Sequence, residues 1–417
     1  MYLKLLYKAF LHNNVSQVLL SSFVVFIPIS QRISTIILVL LFLTTIFKFF
    51  KSERGRMNIN FLILIPVCFF ALCFFSLFYS DQVEFKFIEQ KASFLAFPII
   101  FYFLKINDRN VRKLLMFFVL GCLIASLLLI INAIYNSILF DNNGIGFQAS
   151  VNPSFSFWYA IVRDGNYFFS THFSIFHDPL YFSFYLNVSI SIVLCFSLWK
   201  ENRIYLVLLL LFPIVIFLNS SRLGIGCCIL IYIYYLVSRL KGYTLKALIF
   251  LSLISIGLYV MNFNPRGEIM IRDLKNNGLR ISPEERYGYP LRLMSWESAV
   301  DIIKKNPIFG VGIGDAQSEL NKVYNFKGYI YPLKYKLNVH NQFLQTYIEV
   351  GYFGFILLLI MISLLIIRMP VNLNNFGYYF FFLTFILFFF ESALNRYSGI
   401  SVFVLFYCFI VYKPVEE

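Results

Sequence analysis

The chain has 417 residues, of which 59% are hydrophobic and only 13% are charged, and its formal net charge is +14. A soluble domain carries about twice that share of charged residues, so the composition excludes an ordinary soluble globular protein. Apolar runs that match the roughly 30 Å hydrocarbon core of a bilayer recur along the whole chain. Because these runs do not alternate with polar residues, they exclude a membrane β-barrel and predict an all-α polytopic membrane protein.

The first apolar run begins at about Val15, after a mildly basic segment that contains Lys4 and Lys8. No small-residue cleavage site follows this run, so we expect an uncleaved span and not a signal peptide. The seven cysteines lie inside apolar runs, which favours buried thiols over a disulfide framework or a zinc site. We predict about twelve spans, at residues 15–31, 33–50, 59–79, 92–104, 114–136, 173–198, 204–220, 223–237, 245–262, 342–367, 376–392 and 399–412.

Lysine and arginine residues set the predicted orientation of these spans. When the N-terminus is placed in the cytoplasm, the cytoplasmic segments contain most of the basic surplus of the chain. Both termini are therefore predicted to be cytoplasmic. Topology explains the surplus, so nucleic-acid binding need not be invoked and no nucleic-acid partner is expected.

Two segments on the predicted outer side are long, at residues 137–172 and 263–341. The second lies between the ninth and tenth spans, and it is mixed in charge and not of low complexity. These boundaries divide the chain into spans one to nine at 1–262, the loop 263–341, and spans ten to twelve at 342–417. We expect the loop to be partly helical and to rest on the membrane surface as a lid.

Within the loop, Leu291–Asn306 predicts an amphipathic helix, because its apolar residues recur at helical spacing. Pro307 follows Asn306 and is expected to end that helix. The glycines of the segment 310–314 permit a tight turn. Asp315 is then expected to cap a second short helix.

The junction of the loop and the tenth span is rich in polar side chains. Asn341, Gln345 and Glu349 fall at i, i+4 and i+8, so they predict a polar stripe that is directed into the protein from an apolar helix. Gly351 and the nearby Gly354 are expected to let another helix approach closely. His340 can act as a general base near neutral pH, and a helix-capping or interfacial histidine is the alternative.

Three cations near the outer ends of spans suit an anionic ligand. Arg222 lies in a very short outer turn, where its planar fork suits phosphate oxygens, or where it snorkels to lipid headgroups. Arg292 begins the amphipathic helix, and a solvated surface charge is the alternative interpretation. Lys91 precedes the short fourth span and can hold an anionic headgroup, with an interface anchor as the alternative.

Further polar residues lie where the sixth span enters the membrane and between the last two spans. His177 belongs to the first group, and Glu391 with Arg396 forms the second, where an ion pair that joins two helices is the favoured interpretation. The sequence contains no Walker lysine loop, no dinucleotide glycine motif after a strand, and no Asp-x-Asp pair in a loop. The cations, the histidine and the amphipathic helix together suit a substrate with a lipid tail, an anionic diphosphate and a polar outer group.

These residues resemble the motifs of the O-antigen ligase/polymerase superfamily of bacterial inner-membrane glycan transferases. The specific motifs cover roughly residues 290–355 and one outer turn, and the rest of the chain is similar in topology only. The residues that carry the resemblance are Arg292, Trp296, Asn306-Pro307 and Gly310–Gly314; His340-Asn341, Glu349, Gly351 and Gly354; and Ser221-Arg222.

The resemblance implies glycosyl transfer without a metal or other cofactor, at the periplasmic face of the inner membrane. The implied donor is a glycan on undecaprenyl diphosphate, and the acceptor is a glycan or the lipid A core, with membrane lipid around the protein. His340 would activate the acceptor hydroxyl, while Arg222 and Arg292 would stabilise the diphosphate. The substrate-binding set would contain Lys91, Asn341, Glu349 and His177.

Three functions remain open from the sequence. A ligase moves a polysaccharide from its lipid carrier to a lipid A core sugar, whereas a polymerase joins repeat units on the same carrier and needs the same residues. A transporter or flippase of lipid-linked glycan is the rival of another class. It predicts ionisable residues near the bilayer midplane and repeated halves, but the unusual charges here lie at the outer ends of spans.

Overall fold

The computed structural model describes residues 15–51, 61–103, 108–141, 144–162, 165–239, 288–368, 373 and 375–411, with scattered positions between 242 and 284. Most of the predicted ninth span, 245–262, and the first part of the loop, 263–287, lie outside the described residues. The helices are Val15–Phe26, Gln31–Lys51, Ile65–Ser76, Phe85–Lys91, Ser93–Phe103, Asp108–Ser137, Phe157–Val162, Ser170–Phe173, Pro179–Cys195, Leu198–Glu201, Ile204–Leu218, Arg222–Arg239, Tyr289–Lys305, Ala316–Phe326, Ile330–Lys334, Gln342–Ile367, Phe376–Phe390 and Tyr397–Val411.

Short 3₁₀ helices extend or connect some of these helices, at Phe61–Leu64, Leu77–Tyr79 and Ala393–Asn395. A single antiparallel hairpin of two strands, Ile138–Asp141 and Gly144–Phe147, is the β-structure among the described elements. The fold is therefore all-α apart from this hairpin, as the sequence predicts.

Several helices are apolar enough to cross a membrane. In the described part of the chain, four have the necessary length and composition, at Phe61–Tyr79, Asn110–Ser137, Arg222–Arg239 and Gln342–Ile367. Shorter apolar helices lie at Val15–Phe26, Gln31–Phe47, Pro179–Cys195, Ile204–Leu218, Phe376–Phe390 and Tyr397–Val411. These helices agree with a polytopic membrane protein, and the number of twelve spans stays a prediction.

The chain divides into two compact units built from non-contiguous segments. The first contains Met1–Phe23, Arg32–Arg112 and Asn277–Glu417, and the second contains Val24–Gln31 and Lys113–Asn276. The division into 1–262, 263–341 and 342–417 stays a description of the sequence. The described end of the long loop belongs to the same compact unit as the helix that follows it.

In the first unit, the helix Gln342–Ile367 (the kinked helix below) packs against Phe376–Phe390 and Ile65–Ser76. The helix Tyr289–Lys305 (the loop helix) confirms the predicted amphipathic segment. Its apolar face joins a buried cluster that the other loop helices and the start of the kinked helix complete. That cluster contains Met294, Ala299, Ile302, Ala316, Leu320, Tyr324, Tyr329, Val339 and Ile348.

The glycine turn after the loop helix fastens the loop to the kinked helix. Gly310 has a φ of 70°, and a Cβ atom there would lie 2.6 Å from the carbonyl oxygen of Ile348. The amide of Val311 donates to that same oxygen at 2.8 Å, and the amide of Tyr352 donates to the carbonyl of Ile308 at 3.0 Å. The backbone of the segment 308–311 (the docking segment) is therefore hydrogen-bonded directly to the backbone of the helix.

Gly351 makes this contact possible. Its φ of 67° and ψ of −159° break the helical path, and a Cβ atom there would collide with the carbonyl oxygen of Ile308. The prediction that Gly351 and Gly354 let another helix approach closely is therefore wrong, because no other helix supplies the nearest atoms at either glycine. A loop segment approaches at Gly351, and at Gly354 the nearest atoms are side chains of the same helix.

Asp315 lies at the first residue before the helix Ala316–Phe326, as predicted, but its side chain makes no capping hydrogen bond. Its carboxylate instead accepts the backbone amides of Asp81 at 2.7 Å and Gln82 at 3.0 Å. The predicted cap is wrong, because the backbone amides of Asp81 and Gln82 compete for the same carboxylate oxygens. The contact fastens the loop a second time within the first unit.

In the second unit, the helix Pro179–Cys195 is buried along almost its whole length. It packs against Ile204–Leu218 and Arg222–Arg239, and Asp178 caps its first turn by accepting the amide of Leu180. Asn187 donates from the middle of this helix to the carbonyl of Gly224 at 2.9 Å. Gly224, near the start of the helix Arg222–Arg239, thus gives the two helices a close, polar contact.

Candidate active site

His340 lies in the turn before the kinked helix, in an unusual backbone conformation. Its φ is 50°, and its amide donates to the side-chain oxygen of Asn338 at 3.0 Å. A non-glycine residue in this left-handed region is uncommon and marks a local constraint. The imidazole Nδ1 lies 3.1 Å from Oε2 of Glu391, and both side chains are partly buried.

Glu391 follows the last residue of the helix Phe376–Phe390, where the backbone turns to an extended conformation. The adjoining residues tie the two turns together. Asn341 caps the kinked helix by accepting the amide of Leu344, and its amide group donates to the carbonyl of Phe389 at 3.1 Å. The imidazole–carboxylate pair is thus part of a contact between two helix ends.

Two guanidinium groups lie near this pair. Arg292 of the loop helix stacks over the ring of Phe390, with 5.7 Å from its guanidinium carbon to the ring centroid. The charges of Arg292 and Arg396 both act on the carboxylate of Glu391. Arg292 and His340 therefore both act on the same carboxylate, that of Glu391, and the catalytic roles of the two residues stay a prediction.

The sequence interpretation missed Glu391 as the partner of His340. It considered Glu391 with Arg396 alone, and the structure adds a hydrogen bond between Glu391 and the imidazole. The available signal was a lone carboxylate directly after a long aromatic run, where a charge is expensive near lipid.

Lys91 and Glu349 lie beside this site as a buried ion pair. The ammonium of Lys91 is 3.1 Å from Oε2 of Glu349, and the side chains are only 2% and 3% exposed. The predicted polar stripe on the kinked helix is present, since Gln345 donates to Glu349 at 2.7 Å. The stripe is directed into the protein as predicted, but its acid binds a lysine of the same chain.

His177 and Arg222 belong to the second unit. The imidazole of His177 is buried, with Nε2 2.9 Å from the carbonyl oxygen of Ile27 and Nδ1 3.3 Å from the side-chain nitrogen of Gln31. These contacts link the turn after the first helix to the entry of the helix Pro179–Cys195. Arg222 is the exposed first residue of its helix, after a turn whose Ser221 hydroxyl accepts the amide of Gly224.

No candidate metal site is present in the described part of the chain. There, no group of three or more His, Cys, Asp or Glu residues could hold a metal ion. Metal independence nevertheless stays a prediction.

The apolar helices and the polar cluster at their ends define a helical membrane protein with a polar centre built from helix termini and a loop. Residues 204–359 match the family model described as O-antigen ligase. The match confirms the resemblance to the O-antigen ligase/polymerase superfamily that the motifs indicate. The matched segment contains Arg222, Arg292, His340, Asn341 and Glu349.

Similarity to this family is shown for residues 204–359, which are less than half of the chain. Lys91, His177 and Glu391 lie outside the matched segment. No curated protein matches the chain.

Proposed function

We propose that the chain is a metal-independent glycosyltransferase of the O-antigen ligase type. It moves a glycan from undecaprenyl diphosphate to a sugar hydroxyl of the lipid A core, at the periplasmic face of the inner membrane. The observation that supports this proposal is the hydrogen bond between His340 and Glu391, with Arg292 beside it.

The hydrogen bond assigns a role to each nitrogen of the imidazole. A carboxylate only accepts hydrogen bonds, so Nδ1 of His340 carries the hydrogen and Nε2 is left as the basic atom. Nε2 takes the proton of the acceptor hydroxyl as the oxygen attacks the anomeric carbon. The Glu391 carboxylate then stabilises the positive imidazolium, since it lies 3.1 Å from Nδ1.

The bond between the anomeric carbon and the diphosphate breaks as the new glycosidic bond forms, which inverts the anomeric centre. Negative charge develops on the departing diphosphate, and Arg292 stabilises it electrostatically. A guanidinium suits this task because its planar fork binds phosphate oxygens in pairs. Asn341 holds the two helix ends together, so that the base and its carboxylate keep their geometry.

The test is reconstitution of the purified protein in lipid vesicles with a glycan on undecaprenyl diphosphate and a lipid A core acceptor. We expect His340→Ala to lower kcat by about 10²- to 10⁴-fold, the contribution typical of a general base. His172→Ala is the matched control, because it removes an exposed histidine of the other outer loop, and it should keep wild-type activity. Full activity of His340→Ala, or loss of wild-type activity on addition of a chelator, would refute the mechanism.

The same assay separates the alternatives. A ligase forms product only when the lipid A core acceptor is present. A polymerase lengthens the glycan on its carrier without that acceptor, and a transporter moves lipid-linked glycan between leaflets without forming a new bond. Elongation in the absence of the acceptor would overturn the ligase assignment and favour the polymerase.

A further inference from the structure

Lys91 uses all the hydrogen-bonding capacity of its ammonium group inside the protein. Its Nζ donates to Oε2 of Glu349 at 3.1 Å, to the carbonyl of Leu394 at 3.1 Å and to Oδ1 of Asn395 at 3.0 Å. An ammonium has three hydrogens, and each has a partner. A diphosphate oxygen could bind Lys91 only by displacing one of them.

Glu349 and Asn395 complete a closed ring with Lys91. The second carboxylate oxygen of Glu349 accepts from Gln345 at 2.7 Å and from the side-chain amide of Asn395 at 3.0 Å. Asn395 thus binds the cation with its oxygen and the anion with its nitrogen. The three side chains come from the short helix Phe85–Lys91, the kinked helix, and the 3₁₀ turn Ala393–Asn395.

The ring holds the turn that carries Glu391. Lys91 binds this turn at Leu394 and Asn395, and Gln342 of the kinked helix accepts the amide of Leu394 at 2.6 Å. Gln342 is two residues from His340, and Glu391 is three residues from Leu394. The same turn is therefore fixed on one side by the ion pair and on the other by the residues that carry the histidine.

We propose that Lys91 and Glu349 are positioning residues that hold the turn 391–395 so that the Glu391 carboxylate meets Nδ1 of His340. The inference rests on the proposed function, in which that histidine is the base, and it replaces the expectation that Lys91 and Glu349 bind substrate. An apolar pair of similar volume is often as stable as a buried ion pair. An apolar pair could not donate to the backbone carbonyl of Leu394 or bind both ends of the Asn395 side-chain amide. The role of the charged pair is therefore to fix the position of the turn.

A charge-balance experiment tests this assignment in the reconstituted protein. Lys91→Met leaves the Glu349 carboxylate buried without its cation, and we expect kcat to fall by at least about tenfold with the donor KM within threefold of wild type. The double variant Lys91→Met/Glu349→Gln leaves no buried unpaired charge, but it still lacks the donor to the carbonyl of Leu394 and the side chain of Asn395. We expect its kcat to stay at least about tenfold below wild type, because the turn has lost the bonds that position it. Lys86→Met, an exposed charge on the same short helix, is the matched control and should be unchanged.

A second measurement does not depend on transfer activity. The chain has only four histidines, so the ring nitrogens of His340 can be followed by ¹⁵N NMR after histidine labelling, with the signal assigned by its absence in His340→Gln. We expect both Lys91→Met and the double variant to shift the Nδ1 signal, and Lys86→Met to leave it unchanged. If the wild-type protein transfers no glycan, the proposed function fails, while this signal still reports the positioning.

Two results would overturn the inference. A raised donor KM with unchanged kcat in Lys91→Met would place Lys91 on the diphosphate. An unchanged His340 signal in Lys91→Met would show that the ion pair does not position the carboxylate. If Lys91→Met fails to fold, the double variant decides alone, since a folded double variant with wild-type kcat and an unshifted Nδ1 signal contradicts the proposal.

Discussion

Replacement of Gly351 by alanine tests the contact between the docking segment and the kinked helix. Gly351 has a φ of 67° and a ψ of −159°, a region that is essentially restricted to glycine. An added Cβ atom would collide with the carbonyl oxygen of Ile308, which is backbone and cannot rotate away. The variant must therefore strain the helix or release the docking segment.

The size of the effect follows from these contacts. A non-glycine residue in a sparsely populated backbone region costs about 1–3 kcal/mol. Release of the docking segment breaks the hydrogen bonds from Val311 to Ile348 and from Tyr352 to Ile308. Each such bond contributes about 0.5–1.5 kcal/mol. A variant that keeps this backbone conformation and releases the docking segment bears both costs, so we expect Gly351→Ala to lower the free energy of unfolding by about 2–6 kcal/mol.

Two other glycines separate the effect of backbone strain from the effect of the collision with Ile308. Gly328 also has a positive φ, of 69°, but nothing lies within 4 Å of its added Cβ, so Gly328→Ala measures backbone strain alone. Gly226 lies inside a helix with ordinary φ and open space, so Gly226→Ala should be neutral or stabilise by up to about 1 kcal/mol. The assay is denaturant unfolding in lipid discs, together with amide exchange of the docking segment 308–311. A Gly351→Ala variant no less stable than Gly328→Ala would refute the reasoning.

Three other predictions concern contacts within one unit. Asp315→Ala should speed amide exchange at Asp81 and Gln82, whose amides its carboxylate accepts. The helix Ala316–Phe326 should keep its protection, since Asp315 makes no capping bond. Unchanged exchange at Asp81 and Gln82 would contradict the role of Asp315 in holding the loop. A hydrogen bond from Lys327 holds the pKa of Glu297 below its ordinary 4.5, so its stabilisation is present above about pH 4.5 and is lost as the pH falls through the lower folded pKa. Because Glu297 is half exposed, this effect should stay below about 1 kcal/mol and be absent in Glu297→Gln, as unfolding at several pH values can show. Gly121→Ala places a Cβ atom against the backbone oxygen of Val25 and should lower the free energy of unfolding by about 1–3 kcal/mol. A neutral result in denaturant unfolding would show that the backbones at Gly121 and Val25 can move apart freely.

Local patterns in the sequence predict local structure well. The loop helix is predicted at Leu291–Asn306 and observed at Tyr289–Lys305, and the segment 342–367, predicted as a span, is observed as the helix Gln342–Ile367. The buried stripe from Asn341 to Glu349 follows from helical spacing alone. In each case the information lies within a few turns of one helix, where periodicity and helix-ending residues are sufficient.

The partners of these residues could not be predicted in the same way. Glu391 is 51 residues from His340, and Glu349 is 258 residues from Lys91, so no local spacing connects them. Glycine at position 351 indicates that something approaches closely, but spacing does not show whether that is a helix or a loop. Tertiary contacts between distant segments decide these points, because they select which polar groups satisfy one another in a largely apolar protein.

The break in the kinked helix has a consequence for how the chain assembles in the bilayer. In a straight helix, the amide of Tyr352 would donate to the carbonyl of Ile348, and the span could insert with its backbone groups paired. In the folded protein these two groups bind Ile308 and Val311 instead. A kinked span without the docking segment would leave one amide and one carbonyl unpaired near lipid, which is expensive. The kink and the docking segment therefore depend on each other, because each pairs the backbone groups that the other leaves without a partner.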